Sequence, residues 1–304
     1  MILCCGEALI DMLPRQTADG QDAFAPHAGG SVFNTAIALG RLGADCGFFS
    51  GISTDFFGDL LLETLAASKV DHSLAARSDR PTTLAFVRLE DGQASYAFYD
   101  ENTAGRMLDV ADIPKAQAEA FFFGGISLVT EPCGSAYEAM MRRAAESAVT
   151  MIDPNIRPGF IKDEASYRAR LARMLAASDI VKVSDEDLRW IAGPGETADL
   201  AAALLDRGPS LIAVTEGAKG ASGYTKSCSA SVEGVPVTVA DTVGAGDTFN
   251  AGLLAALAEA DCLTEPALGN LTEETLTMAL SLGARAAAVT VSRAGANPPW
   301  RSEL

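Results

Sequence analysis

The chain has 304 residues, 48% of them apolar, and its 40 acidic and 23 basic side chains give a formal net charge of −17. Acidity on this scale disfavours nucleic acid and anionic membrane surfaces as partners. A chain this long can bury about 75% of the surface its unfolded form exposes, and its apolar fraction of 48% suits a globular enzyme, not a disordered chain. Met1–Leu13 is broken by Glu7 and Asp11 and lacks a basic start, so no secretory signal is expected. The six cysteines form no C-x-x-C pair and His27 and His72 stand alone, which predicts a reducing cytoplasm and no structural zinc.

In chain order, Ile2–Met12 reads as a strand leading to Gly29-Gly30. Ser31 is placed to cap a helix running to Leu42, with Val32, Ala36, Ile37 and Leu39 on its apolar face and Gly43 as its stop. Cys46–Ile52 is a second strand, and Asp55 precedes a helix through Ser68. Thr83–Leu89 and Gln93–Tyr99 are β-rich and flank Asp91-Gly92, a hairpin turn signal. From there the rhythm is strand–helix–strand. Strands are expected at Phe121–Val129, Val149–Asp153, Asp179–Val183 and Ser210–Thr215, and helices over Ser135–Ser147, Ala165–Ala176 and parts of 185–206. Such alternation predicts an α/β fold, a doubly wound and mostly parallel sheet flanked by helices. Ligands in such sheets lie beyond the carboxyl ends of the strands, where three polar clusters fall: Asp153–Arg157, Ser184–Asp187 and Thr215–Gly220.

Residues 241–247 read Asp-Thr-Val-Gly-Ala-Gly-Asp and run into the apolar stretch Thr248–Ala260, read as a helix. Gly244, Ala245 and Gly246 carry little or no side chain, so their N–H groups can approach a ligand closely. The first N–H groups of a helix lack internal partners and carry the positive end of its dipole, a place that attracts phosphate. Asp247 is awkward beside a phosphate unless it takes a proton from an attacking hydroxyl. The blander reading is an ordinary helix start, where Asp and Gly are common.

Two motifs carry a family resemblance: Gly29-Gly30-Ser31-Val32-Phe33-Asn34-Thr35-Ala36, leading to Leu42-Gly43, and the heptad Asp241–Asp247. With them the chain resembles the ribokinase-like (phosphofructokinase-B) carbohydrate kinases over nearly its whole length. The resemblance implies one α/β domain over residues 1–304 with a small β-sheet lid from about 12–28 and 82–106. It implies transfer of the γ-phosphate of ATP to a sugar hydroxyl. Asp247 would be the base, Gly244, Ala245 and Gly246 with Asp247 the anion hole, and Arg157 a phosphate counter-charge. Asp11, Gly29, Gly30, Asn34 and Tyr99 would bind the sugar. Ser184, Asp187, Thr215, Gly217 and Gly220 would face the nucleotide. Asp187 would serve Mg²⁺, and Asp241 with the Val243 carbonyl a potassium ion. Pairing of two lids implies a homodimer.

The sequence departs from the family pattern in three places. Ser184-Asp185-Glu186-Asp187 replaces Asn-x-x-Glu, Ala284 stands where many relatives carry Asn, and Pro299 stands where some carry Ser. The stretches 98–104, 131–134 and 182–186 are similar to bacterial fructokinases. Asp100, after the lid tyrosine, replaces the cation that 2-keto-3-deoxygluconate kinases use for their substrate carboxylate, which favours a neutral sugar. Fructose is the expected substrate. Kinases of 2-keto-3-deoxygluconate, ribose or nucleosides are the alternatives on the same fold, and a non-catalytic sugar sensor is the alternative of another class.

Overall fold

The computed structural model describes the backbone of residues 1–90 and 93–304, and the side chains of those residues outside 88–96. The chain runs β1 (Ile2–Cys5), β2 (Leu9–Gln16), β3 (Asp22–Gly29), α1 (Ser31–Leu42), β4 (Cys46–Phe49), β5 (Gly51–Ser53), α2 (Phe56–Ala67) and β6 (Ala76–Ser78). The hairpin β7 (Leu84–Glu90) and β8 (Gln93–Tyr99) follows, then β9 (Ala120–Gly124), α3 (Cys133–Ala144), β10 (Val149–Asp153), α4 (Glu164–Ala176) and β11 (Ile180–Ser184). The last third holds α5 (Asp185–Ala192), α6 (Thr197–Leu205), β12 (Leu211–Thr215), β13 (Gly220–Tyr224), β14 (Ser229–Glu233), α7 (Ala245–Glu259), α8 (Glu265–Leu268) and α9 (Glu273–Val291).

Eight strands form the central sheet in the order β14-β13-β12-β11-β10-β9-β1-β4. The six from β12 to β4 are parallel, and β13 and β14 close one edge antiparallel. Successive side chains of a strand point to opposite faces, so the sheet feeds two cores. Ile2, Cys4, Ala120 and Phe122 pack under α1, α2, α7 and α9. Leu3, Cys5, Phe121 and Phe123 pack under α3 to α6. A parallel sheet buried on both faces reads as continuous apolar runs, which is why β1, β9 and β10 stood out in the sequence. A second sheet, in the order β3-β2-β7-β8, stands apart from the first.

Several expected boundaries move. The strand Ile2–Met12 is two strands, because the chain leaves the central sheet at Gly6-Glu7-Ala8 and enters the small one at Leu9, earlier than the lid start near residue 12. Cys46–Ile52 likewise divides at Ser50, and Phe121–Val129 stops at Gly124, where Gly125 turns the chain at φ 68°. Ser31 does not cap α1; it is the first helical residue, and Gly30 at φ 109° is the cap position. α7 starts at Ala245, three residues before the expected Thr248, so Asp247 lies in its first turn. The Asp91-Gly92 turn lies outside the described residues.

Winding reverses between β1 and β9, the strands on either side of a crevice. Such switch points are where open α/β sheets bind ligands. α7 is fixed there by its neighbour α9: a Cβ on Gly252 would come within 2.6 Å of the Gly283 Cα, so the two backbones touch.

Candidate active site

A cleft of about 510 Å³ opens over the carboxyl ends of β1, β9, β10 and β11, roofed on one side by the small sheet. It brings together Asp11, Gly30, Asn34, Arg157 and the run Thr242–Asp247, residues spread over most of the chain.

Asp247 lies at its floor, 7% exposed. Its Oδ1 accepts from the Ser31 hydroxyl at 2.9 Å and its Oδ2 from Asn34 Nδ2 at 2.9 Å, while Thr35 Oγ1 donates to its backbone carbonyl at 3.2 Å. Burial pushes the carboxyl up to about 7, against the pull of the Asn34 and Ser31 hydrogen bonds. A general base works best with a pKa near the working pH. Beside it, the N–H groups of Gly246 and Asp247 donate to no acceptor among the described residues. The Thr248 N–H is already used, on the Gly244 carbonyl at 2.9 Å. Two open donors at a helix N-terminus suit an anion; the Ala245 N–H, also expected there, is instead taken by the Thr242 carbonyl at 3.4 Å.

Asp11 lines the cleft from β2 and takes no hydrogen bond from the described residues; burial alone raises its carboxyl to about 6. Its Oδ2 lies over the Cα of Gly29, where a Cβ would overlap it. Gly30 combines φ 109° with a close approach to the Glu7 carbonyl, 2.8 Å from where a Cβ would stand. Arg157 reaches the cleft from the loop after β10, its Nη1 donating to the Ile156 carbonyl at 3.0 Å.

Tyr99 is a correction. It is 62% exposed on the outer face of the small sheet, its ring edge-on to Phe86 at 5.5 Å. Phe98, one residue earlier, lines the cleft and packs on Phe160 at 4.9 Å. Alternation along a strand explains the swap, since a one-residue slip moves every side chain to the other face.

The residues expected to face a nucleotide stand outside this cavity, near the ends of β11 and β12. The Ser184 hydroxyl accepts the Asp187 N–H at 3.0 Å and so caps α5. Burial, then the charge of Asp153, raises Asp187 to about 6. Thr215 ends β12, and Gly217 at φ 57° has open space where a Cβ would be. Gly220 adds a packing reason to its φ of 110°, because its Cβ would overlap the Val232 carbonyl. Asp241 accepts the Val243 N–H at 3.0 Å and the Gly295 N–H at 2.9 Å, tying the turn before α7 to the chain beyond α9. No group of three or more His, Cys, Asp or Glu side chains gathers around a metal position among the described residues.

Sequence reasoning passed over two residues of the cleft. Glu7 is buried at the break between β1 and β2, accepting the Ser31 N–H at 3.0 Å and the Ser127 N–H at 3.4 Å. It supplies in trans the cap that Gly30 cannot give α1. Burial raises its carboxyl from the usual range. Lys182 is 4% exposed and pairs with Asp153 at 2.9 Å. Its one warning in the sequence was a charge between Val181 and Val183 in a strand of apolar residues, since a lysine is almost never fully buried unless paired.

Residues 1–303 match the model of the pfkB family of carbohydrate kinases. The chain is 58% identical over 278 residues to a fructokinase of Rhizobium leguminosarum bv. trifolii, covering 91% of this chain and 85% of that one. Among solved structures it is similar to fructokinase of Xylella fastidiosa with bound ATP, at 31% identity and TM-score 0.89, covering 97% of this chain and 93% of that one. It is also similar to fructokinase of Vibrio cholerae O395 bound to fructose, ADP and calcium, at 28% identity and TM-score 0.84, covering 97% and 94%.

Proposed function

Because this chain belongs to the pfkB family of carbohydrate kinases, we propose that its cleft transfers the γ-phosphate of ATP to a hydroxyl of fructose. It is a sugar kinase with the ribokinase-like fold. The observation that carries the chemistry is the pairing of Asp247, held near a working pKa, with two open N–H donors on the same helix turn. The sugar hydroxyl donates to Asp247 and loses its proton there as its oxygen bonds to the γ-phosphorus. The bond from that phosphorus to the bridging oxygen breaks, and ADP leaves with the electron pair. The α7 N–H groups and Arg157 hold the charge on the transferring group. A sensor without catalysis would have no use for this arrangement.

Fructose rests on the 58% identical relative. The electrostatic reason expected from Asp100 is weaker than the sequence implied. Asp100 pairs with Arg106 at 3.1 Å and lines a side cavity of about 30 Å³ rather than the main cleft. An ADP-release screen over fructose, ribose, tagatose, 2-keto-3-deoxygluconate and nucleosides tests the reading. We expect fructose to exceed the others at least about tenfold in kcat/KM, a gap worth roughly 1.4 kcal/mol. A higher value for the keto acid or a nucleoside overturns the fructose assignment, and sugar binding without ADP release overturns the kinase.

ATP would lie along the ends of β11 and β12, with Ser184, Asp187, Thr215 and Gly217 toward it. The buried carboxylate of Asp187 suits Mg²⁺, which keeps several waters and is held by one or two carboxylates plus substrate phosphates. When bound, Mg²⁺ would neutralise phosphate charge. Asp241 and the Val243 carbonyl would take potassium; equal rates in sodium, potassium and tetramethylammonium would remove that site. Residues 1–304 would act as one domain, with the small sheet as a lid that excludes water on closing. The exposed face of that sheet carries Phe24, Phe86 and Tyr99 in edge contact, which supports a homodimer; sedimentation of the full chain tests the pairing.

A pH dependence follows from Asp247. Only its charged form accepts the proton, so kcat/KM should rise with pH through about 7 and level off above. Ser31 donates to the charged form and so favours it. Ser31→Ala should therefore move the rising limb to higher pH, read from initial rates between pH 5 and 9; an unmoved or lowered limb contradicts the assignment.

A further inference from the structure

We propose that Lys182 is a catalytic residue, the buried cation that donates to the transferring phosphoryl group beside the α7 anion hole. The inference rests on the sugar kinase reading above and adds a residue to its machinery.

Three observations converge. Lys182 projects from β11 into the cleft, although its side chain is only 5% exposed. A Cβ on Gly246 would come within 3.0 Å of its Nζ, so the ammonium lies against the first turn of α7, next to the two open N–H groups. One of its three N–H bonds goes to Asp153 Oδ2; the other two meet no acceptor among the described residues.

A buried ammonium beside a helix N-terminus sets like against like, since that end carries about half a positive charge. A fold that needed only a counter-ion for Asp153 could place it anywhere around the carboxylate. Here the ion pair is pinned from behind, with Asn250 Nδ2 donating to the same Asp153 Oδ2 at 2.8 Å and Asn155 N–H to Oδ1 at 3.1 Å. The remaining donors of Lys182 are left on the side of the cleft, where the missing partner is an anion. A phosphoryl group with charge spread over three oxygens fits that description, and Asp247 stands where its acceptor hydroxyl would be. Gly246 gains a second reason to be glycine, because a Cβ there would crowd the ammonium at 3.0 Å.

The test compares Lys182→Met, the double variant Lys182→Met/Asp153→Asn and wild type, with ADP release measured on the best sugar. Loss of a transition-state donor predicts a kcat lower by about 10²–10³ in Lys182→Met, with KM for the sugar within about threefold. The double variant removes the buried lone carboxylate as well, so it folds without an unpaired charge, and its kcat should stay as low. Recovery of kcat in the double variant would mean that Lys182 only neutralises Asp153, and a single variant within about threefold of wild type would likewise overturn the proposal. Melting temperature and ADP affinity of each protein report folding; if the single variant does not fold, the double variant alone decides. Should no sugar be turned over by the wild type, the kinase reading fails. Slow hydrolysis of ATP, with water as acceptor, then gives the same comparison.

Discussion

Replacing Asp247 with alanine or asparagine is expected to lower kcat by about 10²–10⁴, the usual contribution of a general base, while ADP still binds. The carboxylate is held by Ser31 and Asn34, away from the ends of β11 and β12, so nucleotide affinity is the control. Stability supplies a second, independent readout. Burial holds this carboxyl near 7 in the folded protein, against roughly 3.9 in an unfolded chain. A raised folded pKa contributes stability that is fully present below the unfolded value and lost as pH rises through the folded one. The gap between the two states corresponds to ~4 kcal/mol at most. Asp247→Asn, which cannot ionise, should therefore melt above wild type at pH 8 and lose that advantage as pH falls toward 4. Near-wild-type kcat would remove Asp247 from the chemistry. An advantage that did not shrink on acidification would mean that the carboxyl is not ionising under strain.

The architecture was legible because its signals are local. Apolar runs of four or five residues, each followed by an amphipathic segment, mark β9 to β12 and their helices whatever else the chain does. The heptad 241–247 marked the start of α7 and the turn proposed for catalysis for the same reason, with every part of it within seven residues. Contacts made across the chain were not legible. Ser31 looked like a helix cap from its neighbours, but its hydroxyl is taken by Asp247, 216 residues away. Glu7 looked like an interruption in a strand, yet it joins the starts of α1 and of the turn at Ser127, 24 and 120 residues on. Tyr99 and Phe98 differ only in parity, and strand parity depends on where a strand enters its sheet, which periodicity fixes to no better than a residue or two.

The largest effect from a residue that makes no side-chain contact is expected at Gly244. It holds φ 78° and ψ 2° at the cap of α7, and a Cβ there would come within 2.8 Å of the Ala296 Cβ. A β-branched residue at positive φ is a genuine outlier, so in Gly244→Val the first turn of the helix must move. That turn carries the N–H groups of Gly246 and Asp247 as well as the Asp247 carboxylate, all aimed by the one cap. Loss of a single oxyanion-type donor costs about 10²–10³ in kcat, and here two donors and the base shift together. We expect a fall of at least that size, with KM for ATP changed far less than kcat. Gly43→Ala separates aim from strain. It also places an alanine at positive φ, 90°, at the far end of α1 from the cleft and with open space around it. Its cost should be confined to roughly 1–2 kcal/mol of stability. If Gly244→Val kept kcat within about tenfold while melting lower, the α7 donors would not be the groups that hold the phosphoryl charge. That charge would then fall to side chains of the cleft such as Arg157.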